Sequence, residues 1–139
     1  MPADFFIDAE KGMVFSMARG EFSCADALDH MDRLTRHPAF KPGFNQLMDF
    51  RLATTSTLTH GDVVMLAERT IFSPQSRRAF VVSADWQFGY SRMFGTLRDG
   101  KGETGIMTFR DVKDALAWLS LESEPDPGLF AKRPQGDQA

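Results

Sequence analysis

The stretch NQLMDFRLATTSTLTHGDVVMLAERTIFSPQSRRAFVVS, residues 45–83, contains the signals of a strand, a helix and a second strand in that order. Residues 45–52 predict a β-strand, and a loop of Thr and Ser residues follows it. Thr59 and Asp62 have the spacing of a capping box, so a helix is predicted to begin there. The apolar run within residues 77–83 predicts a second strand that is covered on both faces. A strand–helix–strand order is typical of an α/β sheet domain.

The same kind of order continues on both sides of this stretch. A Lys-Gly turn signal between the apolar runs 5–7 and 13–17 predicts an N-terminal β-hairpin. A second capping box begins at Ser23 and predicts the first helix. Two further helices are predicted to begin at the capping residues Asp85 and Asp111. We therefore predict a single α/β domain with an N-terminal β-hairpin and four helices, and the strand order within its sheet stays open.

The composition changes near residue 122, where prolines become frequent and apolar residues rare. We predict that residues 1–121 form the α/β domain and that residues 122–139 form a mobile Pro-rich tail. Leu129-Phe130 is the only hydrophobic spot in that tail. A length of 139 residues suits one domain.

The composition also limits the function classes. The net charge is −3 and the pI is about 5.6, which disfavours nucleic acid as a partner. A single cysteine excludes an internal disulfide and favours the cytoplasm. We expect neither a signal peptide nor a transmembrane segment, because no apolar run is long enough. The 13 Phe and 8 Met residues predict a Phe-rich core, or a soft apolar surface for a partner or a fatty ligand.

Several short strings stand in a recognisable order: GEF at 20–22 before a helix, HPAFKPG at 37–43, LMDFR at 47–51, FGYSRMF at 88–94, and FRD with ALAWL within 109–119. In order and spacing they resemble the SpoIIAA-like, STAS-related bacterial proteins over roughly residues 5–121. The resemblance implies a four- to five-stranded sheet, largely parallel after the first hairpin, with helices packed on it. It implies little about function, because the activity of that family is mostly unassigned.

The better-understood relatives are anti-sigma-factor antagonists, which carry a phosphorylatable Ser in an Asp-Ser-Ser-Gly-type loop. The matching position here follows Asp49, where the sequence reads Phe-Arg-Leu-Ala and hydroxyl groups come only later. The resemblance therefore does not extend to a phosphorylation switch. STAS-related domains also resemble the larger CRAL-TRIO lipid-binding proteins in fold, which makes an apolar or lipid-like ligand a second possibility.

One candidate ligand site lies at the end of the strand that begins at residue 45. Asp49, Arg51, Thr54, Thr55 and Ser56 are predicted at a strand carboxyl end beside a helix N-terminus, where α/β sheets commonly bind ligands. Hydroxyl groups and free backbone N–H groups at such a place suit an anion. The alternative is a solvated loop whose hydroxyls cap the helix, with Asp49 and Arg51 as an ordinary ion pair.

The next helix adds aromatic candidates. Trp86 and Tyr90 share one face, and they are predicted as ligand-binding residues together with Arg92. Phe88 lies about 160° away from the midpoint of that pair at 3.6 residues per turn. We predict Phe88 as a residue of a homodimer interface or a contact of an apolar ligand, with packing against a neighbouring loop as the alternative.

Other residues are predicted to have no site function. The three histidines are scattered without partners at metal-ligand spacing, so no metal and no cofactor is expected. Asp26 and His30, four residues apart, are interpreted as a surface pair on a helix. Arg77 and Arg78 are interpreted as a solvated basic pair where a strand begins. No catalytic residue is predicted.

Three functional hypotheses follow. The first is a non-enzymatic binding or regulatory module that acts through a partner protein or a small ligand. The second is a carrier of an apolar or lipid-like ligand. The third and weakest is an enzyme that uses Asp49 or Asp85 with Arg51 or Arg92.

Overall fold

The computed structural model describes residues 3–132 of the chain. It contains five strands and five helices. The strands are β1 (Ala3–Asp8), β2 (Met13–Phe22), β3 (Asn45–Ser56), β4 (Arg78–Val81) and β5 (Ile106–Phe109). The helices are α1 (Cys24–Arg36), α2 (His60–Ala67), α3 (Asp85–Asp99), α4 (Val112–Trp118) and α5 (Pro127–Lys132).

The strands form one mixed sheet in the order β1-β2-β3-β4-β5. β1 and β2 form the antiparallel hairpin, and every later neighbour pairs in parallel. Helices α1, α2 and α3 cover one face of the sheet, and α4 and α5 cover the other. The predicted α/β class, N-terminal hairpin and largely parallel sheet are confirmed.

Alternation along the strands decides which side chains meet which helix layer. In β3, Met48 and Phe50 pack with residues of α1–α3, whereas Leu47 packs with residues of α4. In β4, Phe80 belongs to the α1–α3 side and Val81 to the opposite side. The sheet therefore separates two apolar compartments.

β2 and β3 are longer than their local sequence signals predict. The apolar run that predicts β2 ends at residue 17, but this strand continues to Phe22, with Gly20 at a positive φ of 64°. Residues 54–56, predicted as a polar loop, extend β3, where Thr55 pairs with Glu21 and Ser56 with Phe22. Each extension is stabilised by backbone pairing with the other, through register shifts typical of β-bulges.

The start of α3 also differs from the prediction. Asp85 does not cap this helix, because the N-cap residue is Ala84. Instead, Oε1 of Gln87 accepts hydrogen bonds from the backbone N–H groups of Ser83 at 2.8 Å and Ala84 at 3.1 Å. The predicted capping boxes at Ser23 and Thr59 are both present.

A fifth helix, α5, lies within the segment predicted as a tail. Its Phe130 is buried, and the Phe130 ring meets the Phe6 ring edge-on at 5.0 Å between centroids. The rest of the predicted tail, 133–139, lies outside the described residues. The mobility of 122–139 and the domain boundary at 121 stay predictions.

Candidate functional site

A line of buried polar side chains crosses the middle of the sheet on the face covered by α1–α3. Ser16 of β2, Gln46 of β3 and Arg78 of β4 are each at most 6% exposed. Arg78 donates from Nε to Gln46 Oε1 at 3.0 Å, and Gln46 donates from Nε2 to Ser16 Oγ at 3.1 Å. Three neighbouring strands thus contribute one continuous hydrogen-bonded line.

The order of donors and acceptors along this line is set at its Arg78 end, because arginine only donates hydrogen bonds. The acceptor that faces Arg78 must be the amide oxygen of Gln46, which turns its NH₂ group toward Ser16. Ser16 then has its own hydroxyl proton to donate, and His30 Nε2 lies 2.9 Å from Ser16 Oγ. In the His30 tautomer whose Nε2 carries no proton, Ser16 donates to that nitrogen, and the line runs from Arg78 to His30.

His30, on α1, meets the requirement for a neutral acceptor. Burial, with the positive charges of Arg33 and Arg78 as smaller causes, lowers the pKa of His30 from 6.5 to about 3. The predicted surface pair with Asp26 is wrong: His30 is 7% exposed, and Asp26 is used in the α1 capping box. His30 points inward because it lies on the face of α1 that also carries Ala27 and Leu34.

At the other end of the line, Arg78 and Arg98 share one carboxylate. Arg78 Nη1 lies 3.1 Å from Glu103 Oε2, and Arg98 Nε lies 2.9 Å from Glu103 Oε1. Arg98 also donates to the carbonyl oxygen of Ala67 at 3.0 Å and to the hydroxyl of Thr70 at 3.2 Å. The interpretation of Arg78 as a solvated residue is wrong, because its side chain is only 8% exposed.

This buried group carries more positive than negative charge. Two guanidinium groups and one carboxylate leave an excess of one positive charge at the Arg78 end. Burial lowers the pKa of Arg78, against the opposing effect of Glu103. A buried ion costs several kcal/mol unless it is compensated. The rings of Phe72, Phe80 and Phe94, with centroids 4.4 to 5.6 Å from Arg78 Cζ, supply part of that compensation.

A cavity of about 110 Å³ lies between the sheet and the α1–α3 layer. Its walls are mostly apolar, and they include Phe22, Met48, Val63, Leu66, Phe80 and Phe94. The polar residues in the lining include His30, Gln46, Arg78 and Ser91. This size is of the same order as a cavity of about 150 Å³ that accepts benzene in another protein.

Two polar side chains in the lining, those of Arg78 and Ser91, have spare hydrogen-bonding capacity. Within residues 3–132, Nη2 of Arg78 makes no hydrogen bond, since the bonds of Arg78 come from Nε and Nη1. The hydroxyl of Ser91, on α3, likewise has no partner in that range, although Ser91 is only 5% exposed. The cavity therefore has an unused donor on its sheet side and an unused hydroxyl on its helix side.

The sequence-predicted pair Asp49 and Arg51 lies elsewhere, on the opposite face of the sheet. Arg51 donates to both carboxylate oxygens of Asp49, at 2.9 and 2.8 Å, and to Glu124 at 2.7 Å. These bonds, that to Asp49 first, raise the pKa of Arg51. The group lines a second cavity of about 290 Å³, together with Pro127 and Phe130. Two carboxylates around one arginine disfavour an anion there.

The predicted hydroxyl residues at positions 54–56 belong neither to the buried polar line nor to the ion cluster around Arg51. Thr54 and Thr55 are exposed positions of β3. Ser56 donates to the carbonyl oxygen of Phe22 at 2.8 Å and accepts from the backbone N–H of Leu58 at 3.0 Å. Ser56 therefore holds the end of β3 against β2.

Trp86 and Tyr90 do line the 110 Å³ cavity. Both are partly buried, and the hydroxyl of Tyr90 donates to the carbonyl oxygen of Leu58 at 2.9 Å. Their shared face on α3, expected from the sequence, is thus the face that meets the core. Trp86, Tyr90 and Leu58 keep partial exposure and form the outer part of the cavity lining.

Arg92 and Phe88 lie on the other side of α3. The Phe88 ring is partly buried, with the guanidinium carbons of Arg92 and Arg110 at 5.6 and 4.5 Å from its centroid. Arg110 also pairs with Asp85 at 2.9 Å. Neither Arg92 nor Phe88 lines the 110 Å³ cavity. A role of Phe88 in a homodimer interface stays a prediction.

The residues that sequence reasoning missed are Ser16, His30, Gln46, Arg78 and Ser91. A signal for two of them exists in strand alternation. Gln46 stands two positions before Met48, and Arg78 stands two positions before Phe80, so each shares the inward face of an apolar neighbour. A polar residue at an inward position of a covered strand marks either a buried network or a site.

Residues 3–132 hold no group of three or more His, Cys, Asp or Glu side chains that is arranged to bind a metal ion. The helices of that range include none with the length and apolar character needed to cross a membrane. Burial, with Asp62 nearby, raises the pKa of the Cys24 thiol, which disfavours a reactive thiolate.

The domain is similar to an uncharacterised protein of the DUF3478 family from Shewanella loihica, which has a SpoIIAA-like fold. The two chains are 18% identical, with a TM-score of 0.55, over 84% of this chain and 93% of the other. The chain therefore has a SpoIIAA-like fold, as the resemblance in its sequence implies. No family model matches the sequence, and no curated protein matches it significantly.

Proposed function

We propose that this protein is a ligand-binding module that holds a small, largely apolar molecule between its sheet and helices α1–α3. The observation that carries the proposal is the 110 Å³ cavity, bordered by Met48, Phe80 and Phe94. The cavity is partly open to the surface, and apolar side chains that line unfilled space lack the contacts that a packed core gives them. A bound molecule would restore those lost contacts.

The lining is also of the kind that small-molecule sites show. Such sites are mostly apolar and place a few polar groups where they orient the ligand. Here Gln46 and Arg78 project from the sheet, and Ser91 lies on α3. The single cysteine and the predicted compartment make a cytoplasmic ligand our expectation.

Binding is favoured over catalysis because the acidic residues that an enzyme would use are committed elsewhere. Asp49 pairs with Arg51, and Asp85 pairs with Arg110. Neither acid lines the 110 Å³ cavity. Within the described part of the chain, the hydrogen bond of His30 is to Ser16, and no Asp or Glu side chain hydrogen-bonds to its ring.

The proposal is tested by filling the cavity. Ala27, on α1, is 7% exposed and lines it, so Ala27→Leu places a larger side chain inside. We expect fluorobenzene, followed by ¹⁹F NMR, to bind the wild type saturably and to bind Ala27→Leu at least about tenfold more weakly. We also expect the variant to gain about 0.5–2 kcal/mol of unfolding free energy, as cavity-filling substitutions do.

Ala25→Leu is the matched control, because Ala25 lies on the same helix at an exposed position. It should leave fluorobenzene binding unchanged. Equal binding to the wild type and Ala27→Leu, or no saturable binding to the wild type, would contradict the proposal.

A further inference from the structure

We infer that the ligand is a small organic acid, whose carboxylate is held by Arg78 and Ser91 and whose apolar part fills the cavity. This inference rests on the proposed function and adds the chemical class of the ligand. Three independent features of the site lead to it: the charge balance, the unused hydrogen-bonding groups and the size of the apolar space.

The charge balance favours an anion. Glu103 is 2% exposed and is shared by two buried guanidinium groups, those of Arg78 and Arg98. Among the described residues, Arg98 has further acceptors in Ala67 and Thr70, whereas the acceptor of Arg78 besides Glu103 is Gln46. Arg78 lines the cavity, whereas Arg98 and Glu103 do not, so the excess positive charge of this group meets the cavity at Arg78. A ligand with one negative charge would bring the buried group to neutrality.

The hydrogen-bonding groups favour a carboxylate. Nη2 of Arg78 and the hydroxyl of Ser91 are both without partners within residues 3–132, and both residues line the cavity. Ser91 lies one turn before Phe94, whose ring centroid is 5.6 Å from Arg78 Cζ. A carboxylate is planar, accepts from guanidinium groups in a charge-assisted bond, and has a second oxygen for a hydroxyl donor.

The size of the apolar space limits the rest of the molecule. A volume of about 110 Å³ suits a phenyl ring or a short alkyl chain. Phe80, Phe94 and Met48 supply the wall that such a group would contact. An inorganic anion would satisfy Arg78 but leave this wall without contacts. An aromatic or short aliphatic carboxylic acid satisfies both parts of the site.

Benzoate and benzamide test the inference, because they have nearly the same shape and differ in charge. We expect isothermal titration calorimetry to show wild-type protein binding benzoate at least about tenfold more tightly than benzamide. Arg78→Met removes the charge and keeps a side chain of similar length. We expect this variant to lose the preference for benzoate while its binding of benzamide changes little.

Arg77→Met is the matched control, since Arg77 is the neighbouring arginine, is exposed, and stacks on Trp118. It should keep the wild-type preference. If Arg78→Met does not fold, Arg78→Lys replaces it, and we expect a weaker preference than in the wild type because the guanidinium fork is lost. Because Lys keeps the positive charge, a preference that Arg78→Lys leaves intact would overturn the role of the guanidinium fork in holding the carboxylate.

The outcomes separate the inference from the proposed function. Wild-type protein that binds fluorobenzene but binds benzoate no better than benzamide would overturn the inference and leave the proposed function standing. Wild-type protein that binds none of the three molecules would overturn both. A benzoate preference that persists in Arg78→Met would overturn the assignment to Arg78.

Discussion

Arg78 and His30 stand at the two ends of one hydrogen-bonded line, and they have opposite requirements. Arg78 must be a donor and is buried with its charge, whereas His30 must be neutral to accept from Ser16. Between them, Gln46 accepts a hydrogen bond from Arg78 and donates one to Ser16. Protonation of His30 Nε2 would remove the acceptor for Ser16 and place a positive charge in a buried site, while Ser16 could still accept from Gln46.

The low pKa of His30 predicts that the free energy of unfolding decreases in acid. His30 has a folded-state pKa of about 3, below its ordinary 6.5. Between those values the unfolded chain binds a proton that the folded chain does not. Stability is therefore full above pH 6.5 and falls as pH decreases, by about 1.4 kcal/mol per pH unit from this group. Urea unfolding at pH 6.5 and 4.5 should show wild-type protein losing about 2–3 kcal/mol more than His30→Gln.

His60→Gln is the control for this measurement, because His60 is exposed. Its loss of unfolding free energy between the two pH values should match that of the wild type. Parallel pH dependence of the wild type and His30→Gln would show that His30 does not stay neutral in the folded protein.

The burial of Arg78 is a feature of a single residue that its neighbours in the sequence do not predict. Next to Arg77, at the start of a strand, Arg78 has the pattern of a solvated pair. Its compensating carboxylate, Glu103, is 25 residues further along the chain and is brought close only by the pairing of β4 with β5. Local sequence contains the alternation that turns Arg78 inward, but not the partner that makes its burial tolerable.

At the scale of elements, Gln87 joins the start of α3 to β3. Its Oε1 accepts from two backbone N–H groups, and its Nε2 donates to the carbonyl oxygens of Phe50 at 2.7 Å and Ala53 at 2.8 Å. Gln87 is 3% exposed and lines the 110 Å³ cavity. This one side chain therefore replaces a conventional helix cap and positions α3 against the sheet.

Gln87→Ala should lower the unfolding free energy by about 2–4 kcal/mol, since it leaves several buried backbone groups without partners. Urea unfolding of the variant measures this loss. Gln75→Ala, at an exposed position, is the control and should stay within about 0.5 kcal/mol of the wild type. A Gln87→Ala loss as small as that of the control would mean that α3 is held by its apolar contacts alone.

Helix starts were more predictable than strand ends in this protein, for a physical reason. The capping boxes at Ser23 and Thr59 are local patterns of four residues, and the structure contains both. The extension of β3 through Thr55 depends on pairing with Glu21 of β2, far away in sequence. The Gln87 clamp depends likewise on carbonyl groups of β3, which no local pattern indicates.

At the scale of the whole molecule, the sheet separates two compartments with different chemistry. On the α1–α3 side, an apolar cavity meets a buried group with excess positive charge. On the α4–α5 side, the larger cavity contains Asp49, Arg51 and Glu124 as a saturated ion cluster. The sequence predicts a candidate site at strand ends near Asp49, which lies on the α4–α5 side, whereas the predicted residues Trp86 and Tyr90 line the cavity on the α1–α3 side.

The fold alone does not show which of the two compartments binds a ligand. The SpoIIAA-like fold is shared with the uncharacterised Shewanella loihica protein at 18% identity, and a shared fold at that level does not transfer a ligand. The functional argument rests instead on the site of this chain, where Arg78, Ser91 and the apolar wall come together. The strands and helices were largely predictable, but that meeting of residues was not.

The most direct test of the account is a crystal structure of the protein pressurised with xenon, because xenon occupies preformed apolar cavities that stay dry. The account predicts a strong anomalous peak between the sheet and α1–α3, in contact with Met48, Phe80 and Phe94. Well-ordered crystals with those three side chains closed over the space, and no xenon there, would contradict the claim that this domain keeps a cavity for a ligand.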